Sequence, residues 1–243
     1  MKAMILAAGL GSRLRPLTND RPKALVEIGG RTLLEIAIAR LRQFGVNEII
    51  INVHHFADQI DEYLHSKNNF GMRIEISREP VLLDTGGGLK HAAWFFLEDS
   101  SDRDQPFFLH NVDIISTIDL QRMLEVHKHS GALATLAVQD RPTSRYLLFD
   151  DGNRLCGRRS GLAGPAEVVR PVATSRPLAF SGIHVISPRL LSRITEEGAF
   201  SIIYSYLRLA RDEEVIVAFP ADAYRWRDVG RLEDLSKADA ELY

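Results

Sequence analysis

Four cations crowd one short stretch near the amino end, where Arg13, Arg15, Arg21 and Lys23 follow Gly9 and Gly11, with Asp20 the lone acid among them. Pro16 and Pro22 break any helix there and bias Arg15 and Arg21 toward extended backbone. A sharp turn at Ala8-Gly9, free of side chains, lets amide groups approach a ligand. The stretch repels itself unless an anion sits among its charges, and its length suits a chain of phosphates better than one phosphate. It lacks the third glycine of a dinucleotide fingerprint and the GxxxxGK[ST] pattern of a P-loop. A solvated basic loop is the competing reading. The position favours a ligand, because open α/β sheets bind outside the carboxyl ends of their strands and this stretch follows an apolar one.

Polyphosphate chemistry calls for Mg²⁺, a hard cation that takes one or two carboxylates plus substrate oxygens. Two aspartates stand where strands should end: Asp113 after PFFLHNV, and Asp228 within RWRDVG. For Asp228 the alternative is a cap on the closing helix at Gly230-Arg231. Thr85-Gly86-Gly87-Gly88 opens a helix, although glycines inside a helix cost roughly 0.5–1 kcal/mol each. They make sense where a flat base or sugar must lie against backbone; a tight loop-to-helix turn is the plainer alternative. The eight histidines show no HExxH spacing. His54, His55, His127 and His129 are expected on strand ends and helix surface, His110 near Asp113, and Trp226 in packing. No Ser-His or Cys-His arrangement appears, and the single Cys156 reads as an inert small hydrophobe.

Short apolar runs alternating with helical patterns must position these groups, the mark of a mostly parallel sheet covered on both faces. Residues 4–7 form the first strand. Thr32 caps a helix through Phe44, with Glu35 at the capping-box position and Leu33, Ile36, Ala37 and Leu41 inward. Strands at 48–53 and 73–77 flank a helix from about Ala57 to His65. A helix over 84–99, a strand over 106–113, a helix over 116–131 and a strand over 131–138 follow. From Arg141 the character changes: 145–157 reads as a hairpin turning at Asp151-Gly152, and 158–177 as an irregular surface excursion. AFSGIHVIS re-enters the sheet, FSIIYSYLRLA is helical, and EVIVAF and YRWRDVG are strands before a closing helix. The expected fold is α/β, a Rossmann-like three-layer sandwich with a mixed, mostly parallel central sheet. One domain spans residues 1–243, with a core over 1–140 and a sub-lobe over 141–243.

The chain has 243 residues, 45% of them hydrophobic, and a formal net charge of −2. It can bury a full core, and so neutral a chain is no general nucleic-acid binder. No run approaches the about 20 apolar residues of a membrane span, so a soluble, cytoplasmic chain is expected.

The pattern GxGxRLRPLTxxRPKxLVxIGG resembles the signature of the sugar-1-phosphate nucleotidylyltransferases. It is matched by Gly9, Gly11, Arg13, Leu14, Pro16, Leu17, Thr18, Pro22, Lys23, Leu25, Gly29 and Gly30. The resemblance runs through Asp84-Thr85-Gly86-Gly87, Ser181-Gly182-Ile183 and the W-x-D-x-G step at Asp228, essentially the whole chain. It implies that Leu6, Ala7, Ala8, Gly9, Gly11 and Ser12 hold the nucleotide. Arg13 would clasp the outgoing pyrophosphate and Lys23 would neutralise charge at the α-phosphate, with Asp113 as the third catalytic residue. Glu79, Pro80, Thr85 and Gly86 would serve the nucleotide, Gly87, Asn111 and Gly182 the sugar, and Asp113 and Asp228 the Mg²⁺. Valine at position 112 departs from the usual glycine, so backbone approach to the sugar or α-phosphate is open to change. The Glu-Lys pair that many relatives use on the sugar phosphate is missing, and Arg145, Arg158 or Arg159 is left to supply that charge. The implied partners are an NTP and a sugar-1-phosphate, with no nucleic acid or membrane, in a monomer or small homo-oligomer.

Length, the DTGGG step and the FSGI strand are most like the short members of the N-acetylmuramate-1-phosphate uridylyltransferase type, without the β-helix acyltransferase domain of longer relatives. UTP with N-acetylmuramate-1-phosphate or a related hexose-1-phosphate is therefore expected, with mannose- or heptose-1-phosphate guanylyl transfer as the alternative. A cytidylyltransferase acting on an alcohol phosphate, and a non-catalytic nucleotide-sensing subunit, stay open as other classes.

Overall fold

The structure is a computed structural model that describes residues 1–98 and 105–239. Strand β1 (Lys2–Leu6) sends Ala3 and Ile5 into one apolar cluster and Met4 into another, as the two-residue period of a strand requires. A small hairpin of β2 (Glu27–Ile28) and β3 (Arg31–Thr32) delivers the chain to α1 (Leu33–Gln43). Thr32 Oγ1 caps α1 by accepting the Glu35 amide at 3.1 Å. The Glu35 carboxylate takes the Tyr63 hydroxyl, also at 3.1 Å.

Next come β4 (Glu48–Val53), α2 (Ala57–Ser66), β5 (Arg73–Arg78), α3 (Asp84–His91), α4 (Ala93–Leu97), β6 (Phe107–Asn111), β7 (Ile114–Ser116) and α5 (Leu120–Ser130). The second half contains β8 (Ala134–Gln139), β9 (Arg145–Phe149), β10 (Leu155–Ser160), β11 (Ala166–Val168), β12 (Arg176–Ile186), α6 (Ile202–Arg211), β13 (Ile216–Pro220), β14 (Trp226–Asp228) and α7 (Leu232–Asp239).

Among the described residues ten strands form one sheet, in the order β11-β10-β9-β12-β6-β1-β4-β5, with β8 alongside β12 and β13 beyond it. β5, β4, β1 and β6 pair in parallel, and only β12 and β10 run against the common direction. α1, α2 and α5 bury their apolar stripes on one face; α3, α4 and α6 cover the other. The result is the three-layer, Rossmann-like arrangement of a mixed sheet. β1, β4, β5 and β6 end together at Leu6, Val53, Arg78 and Asn111, which gathers the loops that follow them along one rim of the sheet.

One irregularity opens that rim. The amino-terminal part of β12 pairs with β9 and its carboxy-terminal part with β6, and its register to β8 shifts between Phe180 and His184. Gly182 sits at the shift with φ +75, and a Cβ there would lie 2.9 Å from both Asn111 Nδ2 and Ile114 Cγ1. Only glycine fits both the left-handed backbone and the space.

Several expectations need correction. β1 starts and stops earlier than 4–7. The helix expected over 84–99 breaks at Ala92 (φ −87, ψ 1) into α3 and α4, and residue 99 lies outside the described residues. Residues 114–116 are strand, so the next helix starts at Leu120, capped by Asp119 rather than entered at 116. The excursion over 158–177 is sheet in part: β10 continues to Ser160, β11 (Ala166–Val168) pairs with it, and β12 begins at Arg176. His127 is not on a surface; it is buried, with its ring nitrogens at 2.9 Å from Thr135 Oγ1 and Ser187 Oγ. The hairpin turning at Asp151-Gly152 stands as expected. No helix among the described residues is long and apolar enough to cross a membrane.

Candidate functional site

The basic stretch is pinned from below and free above. Leu14 and Ala24 are fully buried anchors, and Thr18 Oγ1 donates to Gly11 O at 2.8 Å. The left-handed turn is at Gly11 (φ +64), where a Cβ would meet Thr18 Cγ2 at 2.9 Å and Lys23 Cβ at 3.2 Å. It is not at Ala8-Gly9, where Gly9 faces open space. Arg15 is extended (φ −60, ψ 140), as the following proline demands. Arg21 pairs with Asp20 at 3.3 Å on the surface, and Arg15 is exposed. Lys23 is buried, and Arg13, itself exposed, reaches with its guanidinium toward Gly230.

Lys23, 8% exposed, donates its ammonium to the Asp113 carboxylate. β14 pairs antiparallel with β7, setting Asp228 opposite Ile114, and the Val229 amide donates to Asp113 O at 2.9 Å. The two aspartates therefore stand on neighbouring strand ends although 115 positions separate them in sequence. A Cβ at Gly230 would find Asp228 Oδ1 at 2.7 Å, Arg13 Nη2 at 2.8 Å and Lys23 Nζ at 3.2 Å. Two cations and a carboxylate thus converge on one bare glycine, with the second carboxylate bonded to Lys23. Asp228 Oδ1 also accepts the Gly230 amide at 2.8 Å, so the turn into α7 helps to orient it.

Among the described residues no group of three or more His, Cys, Asp or Glu forms a metal cluster. Two hard carboxylates beside fixed cations fit an ion such as Mg²⁺ that completes its shell with substrate phosphate oxygens and water. Asp113 and Asp228 are the residues that would hold it.

The glycine run has a different cause from the one its sequence suggests. A Cβ on Gly86 would lie 2.2 Å from the Phe200 ring, one on Gly87 would lie 2.4 Å from Gly198 O, and one on Gly88 would lie 2.7 Å from Glu79 Oε1. The Gly86 and Gly87 amides both donate to Phe200 O, at 2.9 and 3.3 Å. The run lets the segment around 198–200 lie against α3. Glu79, 4% exposed, accepts from Asn52 Nδ2 at 2.7 Å and from the Leu83 amide at 2.9 Å. Asn52 in turn accepts the Ala7 amide at 2.8 Å. This chain ties the ends of β1, β4 and β5 to the start of α3. Val112 is buried in the core cluster, so its departure from glycine puts no side chain into the site.

Beside Asp228 lies a cavity of about 840 Å³ whose lining includes Thr85, Asn111, Gly182, Arg141, Trp226 and the first turn of α6. Trp226 packs as expected, donating Nε1 to Ser181 O at 2.7 Å, and also walls this cavity. The Arg141 guanidinium lies 3.7 Å over the Trp226 ring and donates to Phe180 O at 2.8 Å. Burial pulls the Arg141 pKa down and the Asp228 charge pushes it back. Arg145, Arg158 and Arg159 line the same cavity.

Burial pushes His110 and His127 down to about 4 and His184 to about 3. These rings are neutral in the native protein near pH 7, so none is a proton donor there. An unfolded histidine titrates near 6.5; below that, the unfolded chain binds protons that the native one refuses. Stability is therefore level above pH 7 and falls as pH drops from about 6.5 toward 4, by up to ~1.4 kcal/mol per pH unit per histidine. Glu98 and Glu196, both held down to about 2, lose their contribution only at lower pH. Urea unfolding at pH 7.5 and 5.0 checks this: the expected free energy at pH 5.0 is lower by a few kcal/mol, and equal values contradict it.

Thr85, Asn111, Gly182 and Asp228 thus line one cavity, and Arg13, Lys23 and Asp113 join Asp228 at its edge. Leu6, Ala7, Ala8, Gly9, Ser12, Glu79 and Pro80 follow the strand ends along the same rim. Gly86 and Gly87 are buried behind it. Sequence reasoning missed Arg141 and Asn52. Asn52 had a signal, a polar residue near the end of the apolar run EIIINV, much as Asp113 follows its own run.

A Rossmann-like sheet with cations and acids converging at its carboxyl rim defines a nucleotidyl transferase, and the chain belongs to that family, whose model matches residues 2–153. It is 34% identical over 255 residues to N-acetylmuramate alpha-1-phosphate uridylyltransferase of Caulobacter vibrioides, covering 99% of this chain and 96% of that protein. It is 30% identical to mannose-1-phosphate guanyltransferase of Emericella nidulans, covering 96% of this chain but 62% of that protein. HddC of Yersinia pseudotuberculosis, solved in complex with GMP-PN, shares the fold with a TM-score of 0.77 at 23% identity, covering 100% and 99% of the two chains.

Proposed function

We propose that the protein transfers a nucleotidyl group from a nucleoside triphosphate to a sugar-1-phosphate and releases pyrophosphate. UTP and N-acetylmuramate-1-phosphate, or a related hexose-1-phosphate, are the substrates. The meeting of Arg13, Lys23 and Asp228 around Gly230, with Asp113 bonded to Lys23, carries this reading. In-line displacement at the α-phosphorus asks for positioning and charge compensation, not a covalent nucleophile. Lys23 compensates charge at the α-phosphate, and Arg13 holds the departing pyrophosphate. The attacking phosphate oxygen is already ionised, so no general base is required. Asp113 and Asp228 would hold Mg²⁺, which would supply charge compensation to the phosphates.

The nucleotide lies along Leu6, Ala7, Ala8, Gly9, Gly11 and Ser12, with Glu79, Pro80, Thr85 and Gly86 at the base. Asn111 and Gly182 face the sugar. Gly86 and Gly87 act through the shape they give the start of α3, since Phe200 takes their amides. Residues 1–140 serve as nucleotide core and 141–243 as sugar-binding part of one domain. The enzyme works in the cytoplasm beside its nucleotide supply, as a monomer or small homo-oligomer. The guanyltransferase relative supports a second reading, GTP with mannose- or heptose-1-phosphate.

A pyrophosphate-release matrix tests both, with ATP, CTP, GTP and UTP each set against a series of sugar-1-phosphates in the presence of Mg²⁺. The expected maximum is UTP with N-acetylmuramate-1-phosphate. A maximum at GTP with mannose-1-phosphate selects the second reading, and no pyrophosphate from any pair overturns both.

A further inference from the structure

The cavity beside Asp228 carries four arginines against three acids, Asp84, Glu167 and Asp228. Arg141, Arg145, Arg158 and Arg159 all line it. Arg158 has a carboxylate partner, Glu167, at 2.6 Å. Among the described residues the other three arginines have no acid within salt-bridge distance, and the Nε atoms of Arg141 and Arg159 are buried without a partner.

The sheet separates these groups. Arg141, stacked on Trp226 and within reach of the Asp228 charge, belongs to the end where the 1-phosphate must react. Arg145 and Arg158 lie elsewhere, on β9 and β10. In that ladder Arg145 pairs with Ser160 and Leu147 with Arg158. Alternate residues of a strand share a face, so Arg145 and Arg158 project from the same side as diagonal neighbours. Arg158 lies 4.9 Å over the Tyr204 ring, which sets the pair against α6. The first turn of α6 lines the same cavity with Ser201 and Ile202, and its amino end adds positive potential. Arg145 is exposed and ready to form a forked pair.

We propose that Arg145, with Arg158 beside it, binds a second acidic group on the sugar, a carboxylate, so that the enzyme selects sugar-1-phosphates that carry one. This rests on the nucleotidyl-transfer reading above. A neutral hexose leaves Arg145 uncompensated among like charges. A carboxylated one pairs it, while Arg141 stays with the 1-phosphate.

The test is the ratio of kcat/KM for N-acetylmuramate-1-phosphate to that for N-acetylglucosamine-1-phosphate, the same hexosamine without the lactyl carboxylate, read as pyrophosphate release with UTP. The wild-type ratio is expected to be about tenfold to a hundredfold, the range of a charge-assisted pair. Arg145→Met should bring it below about threefold, and Arg145→Lys should keep part of it, because a point charge replaces a fork. Should Arg145→Met fail to fold, Arg158→Met takes its place with the same expected narrowing. A wild-type ratio near one, or a ratio unchanged in the variant, overturns this proposal alone. Turnover of mannose-1-phosphate but of neither of these two also overturns this proposal alone, and no turnover of any sugar-1-phosphate with any nucleotide overturns the reading of the reaction with it.

Discussion

Replacing Lys23 by alanine lowers pyrophosphate release by roughly 10²–10³-fold, the loss expected when one preorganised donor to a developing charge is removed. The backbone sets this side chain in place. Pro22 starts a tight turn in which the Leu25 amide donates to Pro22 O at 2.9 Å, and Ala24 is fully buried beside it. The ammonium is therefore fixed before substrate arrives, and its charge needs no reorganisation during transfer. Because the interaction strengthens in the transition state, kcat and kcat/KM should fall together while KM for the nucleotide changes little. The substitution also leaves the Asp113 side chain, 16% exposed, without its cation. Stability should drop by about 1–3 kcal/mol, short of unfolding. Asp113→Asn removes the charge and keeps the shape; it should lose a similar rate factor and raise the Mg²⁺ concentration needed for half-maximal activity. The double variant should lose much less than the product of the two, since each single change already breaks the pair. Turnover of Lys23→Ala within threefold of wild type contradicts the role given to this residue.

The same local logic explains what the sequence disclosed. Asp113 is an acid at the end of an otherwise buried run, a position with no surface excuse, while Asp228 was marked by its W-x-D-x-G pattern; both lie at the site. The Arg-Lys stretch was legible because prolines excluded a helix and because charge without counter-charge calls for a ligand. Partners far away in sequence were not legible. The glycine run was read as room for a ligand, yet the occupant is Phe200, which sits in a different element and leaves no mark on residues 84–88. Residues 158–177 lacked apolar alternation because β11 is an exposed edge strand whose three residues face solvent. Its pairing comes from backbone hydrogen bonds with β10, and composition does not report those. His127 stood in a polar run at a helix end, and only the packing of α5 against β8 and Ser187 buries it. The arginines of the cavity were visible one by one. Their sharing of one cavity depends on the β9–β10 register and on the shift at Gly182.

Gly230→Ala separates the site from the fold more cleanly than any change to a charged residue. The added methyl would lie 2.7 Å from Asp228 Oδ1, 2.8 Å from Arg13 Nη2 and 3.2 Å from Lys23 Nζ, all of them nearer than a Cβ contact tolerates without movement. Arg13 reaches this point with the end of a long, exposed side chain that can withdraw at little conformational cost, and Lys23 Nζ, the farthest of the three, needs to give only slightly. Gly230 has no left-handed φ among the backbone exceptions, so alanine imposes no backbone strain there. The expected thermal midpoint is therefore within a few degrees of wild type, a shift of under ~1 kcal/mol. Activity should suffer far more, because a displacement near 1 Å of groups that must meet the transferring phosphate costs on the order of 10²-fold. The loss should fall on kcat rather than on nucleotide KM, and it should persist at saturating Mg²⁺, since the methyl displaces the cations as well as the carboxylate. If Gly230→Ala retains full turnover, the three groups meet there without consequence for the reaction; if it unfolds, the glycine is held by the fold instead. A stable, slow enzyme is the outcome the convergence requires.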